Sequence, residues 1–435
     1  VTALRLWWRL LRRQDSARLT ITLALIAFAA ATGALLTVLG GLGAFTARDG
    51  NPVYVTLAQT ATVILIIPAF TLGGAAARLS ISRRDERLAA LRLAGATSGQ
   101  VGLIAVADAV SQALVGAIGG VVLYLLALPG VAMINFQGRP FGWSELWVGW
   151  PVLLAAVGAV VVLAAVSAVI SLARIVVSPL GVARRTSPAR VTWIRVVIGV
   201  LVLALWMPTT QLIGSGVQLT VIMVVFAGCF AVLNLIGPVV LGLIGRLSAR
   251  RANSVPKLLA ARRLIDDPRS AWRSVAGVTL ATFVAGVLSI APAIAASSGG
   301  DAGDLRYLPV DLMTGATVTL VIAALLAAVS SGVNQAARVY DHRRQYRMLH
   351  LAGTDIAVLE RARQRETWLP LLASVLIAAV VAVIMVAPFG VALIGLSQLG
   401  PIMFAGGVLV SLAMVMGAVR LSQPLVARVA LADQH

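Results

Sequence analysis

The sequence predicts an all-α polytopic membrane protein with about ten transmembrane helices, arranged as two parallel four-helix repeats and a connecting helix pair. Three observations lead there. Of 435 residues, 60% are hydrophobic and only 12% charged, where soluble domains carry about a quarter charged residues. Apolar stretches of spanning length recur along the whole chain, and two of the polar connections between them share a motif. A bilayer is the solvent that organises such a chain. The net charge of +19 then belongs to loops that fix orientation, rather than to a nucleic-acid surface. Cys229 is the only cysteine and lies in an apolar stretch. Within one chain it can build neither a disulfide framework nor a thiolate zinc site, and it reads as a small core residue.

Residues 1–19 come first. Leu4, Trp7, Trp8 and Leu11 recur at helical spacing with Arg5, Arg9, Arg12 and Arg13 between them, the pattern of an amphipathic helix lying flat at the headgroups. The first repeat, 20–190, has spans at 20–45, 53–77, 103–128 and 150–172. The connecting pair, within 191–250, runs 196–213 and 217–244; Pro208, Thr209, Thr210 and Gln211 interrupt the former, which is either a crossing or re-entrant. Residues 251–274 form a second interfacial helix with Leu258, Ala261 and Ile265 on one face. The second repeat, 275–435, has spans at 275–295, 312–333, 369–394 and 403–419, each near the ~20 apolar residues a crossing needs. No cleavable signal peptide is expected, because the first apolar segment is too long and lacks a small-residue cleavage site.

Arginines crowd into alternate loops: Arg78, Arg83, Arg84, Arg87 and Arg92; Arg174, Arg184, Arg185 and Arg190; Arg246, Arg250, Arg251, Arg262 and Arg263; and Arg338 through Arg365. The positive-inside rule makes these loops cytoplasmic. The intervening loops hold few charges and lean acidic, as at Asp301, Asp304 and Asp311. Ten crossings then place both termini in the cytoplasm. The arginine- and alanine-rich composition points to a high-GC bacterium, hence to its plasma membrane.

Residues 10–17 (LLRRQDSA) align with 264–271 (LIDDPRSA), and 91–97 (LRLAGAT) with 349–355 (LHLAGTD). Continuing the second alignment superposes Asp108 on Glu366. An even number of crossings separates equivalent positions, so the halves share one orientation about a pseudo-twofold axis along the membrane normal. Both Leu-x-Leu-Ala-Gly segments therefore face the cytoplasm.

In the first of these segments, Arg83-Arg84-Asp85-Glu86-Arg87 opens a charged helix with Leu88, Leu91 and Ala94 on one side. Gly95 suits its C-terminus, and Thr97 or Ser98 suits the N-cap of the next helix. The second copy, 341–359, keeps this plan with Arg344 for Glu86 and His350 for Arg92. One such loop need only satisfy the orientation rule; two at matching positions point to a pair of levers.

An arginine- and glutamate-rich cytoplasmic helix ending in Leu-Arg-x-x-Gly-Ala-Thr, followed by a spanning helix with an early acid, resembles the FtsX-like permease domain of type VII ABC transporters. That family includes MacB-like, Lol-like and Bce-like permeases. The resemblance covers 20–185 and 275–427, and residues 178–185 (SPLGVARR) resemble the Ser-Pro-x-x-x-x-Arg tail that closes such a domain. The duplicated ten-helix layout is similar to Bce-like permeases. The resemblance implies coupling helices that dock on a separate ABC ATPase, two copies per chain. Their residues would be Arg83, Arg84, Glu86, Arg87, Leu91, Arg92, Gly95, Ala96 and Thr97, and Arg343, Arg344, Arg347, Leu349, His350, Gly353, Thr354 and Asp355. ATP and Mg would sit in that partner, with no cofactor bound by this chain. The large outer domains of the family have no room here: 46–52 and 296–311 are short. The longest outer loop, 129–149, holds Phe136, Arg139, Phe141, Trp143 and Glu145; it reads as a small lid or as a set of interfacial aromatic anchors.

A phosphate-binding loop needs a lysine among glycines, and the only lysine, Lys257, has none beside it. The chain is therefore expected to be no enzyme. No span carries an acid at its centre, which disfavours an ion-driven carrier. Asp108 and Glu366 lie near the inner ends of their helices, where they either snorkel or pair with an arginine such as Arg363 or Arg365, or else act as hinges for the coupling helices. His342, His350 and His435 lack metal-ligand spacing. Ser330, Ser331, Asn334 and Gln335 read as helix-to-helix glue, and Gly73, Gly74, Gly116, Gly119 and Gly120 as close-packing positions. With no outer domain to collect a soluble substrate, the expected cargo is an amphiphile, such as a lipid, antibiotic or membrane-active peptide, exported or extracted from the bilayer. The alternative is a mechanical relay that passes ATPase motion to a sensor kinase or envelope partner without moving cargo.

Overall fold

The computed structural model describes residues 15–48, 51–82, 97–176, 218–297, 306–341, 356–387 and 399–421. Its long helices are α1 (Asp15–Ala47), α2 (Pro52–Ser82), α3 (Ser98–Ala132), α5 (Gly149–Val176), α6 (Gln218–Arg250), α8 (Pro268–Leu288), α10 (Leu308–Asp341), α11 (Ile356–Val386) and α12 (Leu399–Leu421). Short ones are α4 (Trp143–Leu146), α7 (Val255–Asp266) and α9 (Ala291–Ser297), and one hairpin pairs β1 (Asn135–Phe136) with β2 (Arg139–Pro140). Among the described residues, 8 helical stretches are long and apolar enough to cross a membrane. The chain thus has the build of an all-α multi-pass membrane protein. The predicted span at 196–213 and residues 1–14 lie outside the described residues. In α12 the described apolar stretch, Leu399–Ala413, is shorter than a crossing.

The chain divides into two compact units. The first comprises Val1–Ala58, Leu65–Asn135 and Pro140–Arg185. Its most extensive packing joins α1 to α3. The buried face of α1 is Ala24, Ala27, Phe28, Ala31, Thr32 and Leu36, and that of α3 is Ala105, Ala109, Ala113, Ala117 and Tyr124. Both follow the i, i+3, i+4, i+7 spacing of one helix face. The residues are small because lipid tails are as apolar as leucine and drive no large side chain inward, so close backbone approach does the holding. A Cβ on Gly120 would lie 2.5 Å from Thr32 Cβ and 2.7 Å from the Ala29 carbonyl oxygen, and one on Gly116 2.5 Å from Phe28 Cβ. These two predicted packing glycines mark the crossing. Gly73 meets Leu163 of α5, whereas Gly119 makes only an ordinary contact with Ala29. Leu103, Val115, Ile118, Val122 and Leu126 of α3 face outward.

The second unit comprises Gln59–Ile64, Phe136–Arg139 and Thr186–His435. Here α8 is central, packed against α6, α10, α11 and α12. Glycines again set the approaches: Gly277 against the Ala327 carbonyl oxygen, Gly286 against Ala382, Gly407 against Ala285, and Gly237 against the Trp272 ring. Trp272 is 2% exposed, and its indole N–H donates to Asn234 Oδ1 at 3.3 Å. Cys229 is buried, in keeping with its apolar surroundings. At the tip of the hairpin, Gln137 N donates to Asp311 Oδ2 at 2.9 Å.

Two details depart from the pattern read in the sequence. The predicted span 275–295 breaks at Ser289, because Pro292 lacks the N–H that would continue the ladder. Ser289 Oγ donates instead to the Gly286 carbonyl at 2.6 Å, and helix resumes as α9. In α7 the buried face is Ala260, Ala261 and Leu264, while Leu258 is exposed. That face is rotated from the expected Leu258, Ala261 and Ile265 because α7 packs on both α6 and α11.

Candidate functional site

The two lever segments lie mostly outside the described residues. Arg83, Arg84, Glu86, Arg87, Leu91, Arg92, Gly95 and Ala96 fall there, as do Arg343, Arg344, Arg347, Leu349, His350, Gly353, Thr354 and Asp355. The described part is where they leave and enter the helices. The first joins α2, ending at Ser82, to α3, starting at Ser98; the second joins α10, ending at Asp341, to α11, starting at Ile356.

Thr97 caps α3. Its Oγ1 accepts from Gln100 N at 3.3 Å, and Gln100 Oε1 accepts from Thr97 N at 3.1 Å. This reciprocal capping box satisfies two backbone donors that a helix start leaves open. Of the two residues that could have capped α3, Thr97 does. Asp108 sits on the same helix, half-buried, and accepts from Gln112 Nε2 at 3.3 Å. Glu366 lies in the early turns of α11, and its side chain is outside the described residues.

At the far end of the first unit, the loop after α3 is folded around an arginine that sequence reasoning did not single out. Arg48, with its side chain 1% exposed, pairs with Glu145 at 2.9 Å. Its Nε donates to Glu145 Oε2 and its Nη2 to the Pro140 carbonyl at 2.6 Å. The guanidinium carbon lies 4.4 Å from the Phe141 ring centre, within cation–π range. Phe141 meets Phe45 edge-on at 5.4 Å, and Phe45 stacks on Tyr54. Glu145 Oε2 also accepts from Gly142 N at 3.0 Å, which closes the turn into α4.

Tyr124 fixes the exit of the loop. Its hydroxyl donates to the Leu146 carbonyl at 2.6 Å and accepts from Val148 N at 3.2 Å. Gly40 admits that carbonyl, since a Cβ there would come within 2.6 Å of it. Phe136 and Phe141 are buried while Trp143 and Trp150 are exposed. The loop is thus ordered, with its phenylalanines buried and these two tryptophans facing out. The legible signal was a pair of opposite charges, Arg48 in the short connection after α1 and Glu145 in the loop after α3, both in segments otherwise poor in charge.

In the predicted polar strip, Asn334 Nδ2 donates across to the Arg273 carbonyl of α8 at 3.2 Å, which is glue between helices. Ser331 is fully buried and its hydroxyl has no partner among the described residues. Among the described residues, no group of three or more His, Cys, Asp or Glu side chains is placed to hold a metal ion. No protein-family model, curated protein or solved structure matches the chain.

Proposed function

We propose that this chain is the permease subunit of an ATP-driven ABC transporter, moved by a separate ATPase dimer through two cytoplasmic coupling helices. The order and duplication of the motifs at 83–97 and 343–355 carry this reading. One feature of the packing supports it. In each unit the most extensive helix contact joins the first and third helices of the predicted quartet, α1 with α3 and α8 with α11, with glycine at the crossing in both. Each lever segment connects the second helix of its quartet to the third, so a push delivered there reaches that close-packed pair directly.

The cargo is an amphiphile that is exported or extracted from the bilayer. No outer segment between the spans is long enough to form a collecting domain, and the 129–149 loop is committed to its own Arg48 and Tyr124 anchors. The chain should co-purify from its native membrane with an ATPase and raise that enzyme's ATP hydrolysis in detergent. Replacing Arg83, Arg84 and Arg87 together by Glu should abolish both. Purification without any ATPase would refute the proposal, and ATP-dependent movement of an amphiphile in reconstituted vesicles separates a permease from a mechanical relay.

A further inference from the structure

We infer that the second unit holds a site for the headgroup of an anionic phospholipid, in a cleft of about 350 Å³ lined by Leu247, Ser248 and Arg251 of α6 and its end, Lys257 and Ala260 of α7, and Trp368 and Leu369 of α11. Two cations converge on it. Arg251 and Lys257 are both exposed, and among the described residues neither forms an ion pair. The remaining walls are apolar apart from the Ser248 hydroxyl.

The level of the cleft in the bilayer selects the occupant. The apolar stretch of α6 ends at Arg250, and that of α11 begins at Trp368, so the cleft opens where both helices pass from hydrocarbon to polar surroundings. Trp368 is 40% exposed, the amphipathic ring typical of that boundary. A phosphodiester there receives charge-assisted hydrogen bonds from Arg251 and Lys257 and one from Ser248. Its glycerol and first methylenes lie against Leu247, Leu369 and the Trp368 ring. Basic pockets between spanning helices on the cytoplasmic side recognise acidic headgroups in this way, and the arginine-rich end of α6 belongs to that leaflet by the positive-inside rule. A choline headgroup would bring its own cation toward Arg251 and Lys257. A soluble phosphate would leave the apolar wall unused. The site stands whether or not an ATPase drives the chain.

Native mass spectrometry of the full chain, titrated with phosphatidylglycerol and with phosphatidylcholine of the same acyl chains, tests this. Phosphatidylglycerol should be retained on the order of ten-fold more tightly, and Arg251→Gln with Lys257→Gln should remove that preference, given roughly five-fold per cation near an acidic lipid. Arg262→Gln with Arg269→Gln removes the same charge from exposed positions that do not line the cleft, and should leave the preference intact. The exchange Arg251→Lys with Lys257→Arg keeps the charge and should bind within about two-fold of the parent. Equal retention of the two lipids, an equal loss in the control pair, failure of the exchanged variant, or displacement by free glycerol phosphate at matched concentration would each overturn the inference.

Discussion

The central helices of the two units are held in different ways. Of the apolar stretch of α1, 39% is buried, against 67% for α8. One face of α1 lies on α3, and its end is tied to the folded loop through Arg48, just past the helix; α8 is surrounded by α6, α10, α11 and α12. Enclosure changes what a helix can carry. Ser274, Thr279 and Thr282 of α8 are all buried, and the first two satisfy their hydroxyls on carbonyls of their own helix. Where α1 is open, Ile26 faces out. The first unit is thus expected to concentrate its stability on one main helix pairing and the Arg48 tie, and the second to share it among four neighbours of α8.

The largest expected effect is at Arg48. Arg48→Ala strips Glu145 of its ion pair, Pro140 of its donor and Phe141 of its cation, and should cost about 3 kcal/mol, as when one partner of a buried pair is removed. Thermal unfolding in detergent measures it, and proteolysis should open first between 133 and 148. A loss no greater than that of an exposed arginine such as Arg262 would remove the idea of concentrated stability. Next is Gly120→Val, which drives a side chain into Thr32 and the Ala29 carbonyl, for about 2 kcal/mol or more. Gly41→Ala, with nothing within 4 Å of its Cβ position, should change stability by less than about 0.5 kcal/mol. Gly277→Val meets a similar obstacle in α8, the Ala327 carbonyl 2.7 Å away. Because α8 is held on its other sides, it should lose roughly half as much as Gly120→Val. Equal losses would mean that enclosure gives no protection.

How far each feature could be read in the sequence follows from how local its cause is. Spans are legible because the cost of placing charge in hydrocarbon is paid residue by residue. The Thr97 cap is legible because its partner, Gln100, is three residues away. Gly116 and Gly120 could be named as packing positions, yet nothing in the chain said that their partners would be Phe28 and Thr32. Arg48 and Glu145, 97 positions apart, meet only because α1 and the loop after α3 end together, and Tyr124 was hidden as one aromatic in an apolar run. The face of α7 was misjudged because two neighbours, not one surface, compete for it. The break at Ser289 has its cause in Pro292, three residues on, and is hidden in the sequence because hydropathy continues through it. Apart from Thr97, the lever residues lie outside the described residues and rest on their motif alone.

Smaller effects test the helix starts and the buried hydroxyls. Thr97→Ala should cost about 1 kcal/mol by opening the capping box of α3, with Thr97→Ser restoring most of it. The smallest and most discriminating pair is Thr32→Val and Thr282→Val. Each threonine is fully buried at the centre of its unit, and neither hydroxyl has a partner among the described residues. A desolvated hydroxyl with no bond to make is a net cost, and valine keeps the shape while removing it. Both variants should therefore gain stability, by up to about 1 kcal/mol, with α8 gaining at least as much as α1 because no lipid-facing side lets Thr282 turn toward a substitute partner. A loss at Thr282 alone would mean that the enclosed helix holds a bridging water that its hydroxyl needs, and enclosure would then mark a wet centre rather than a dry one.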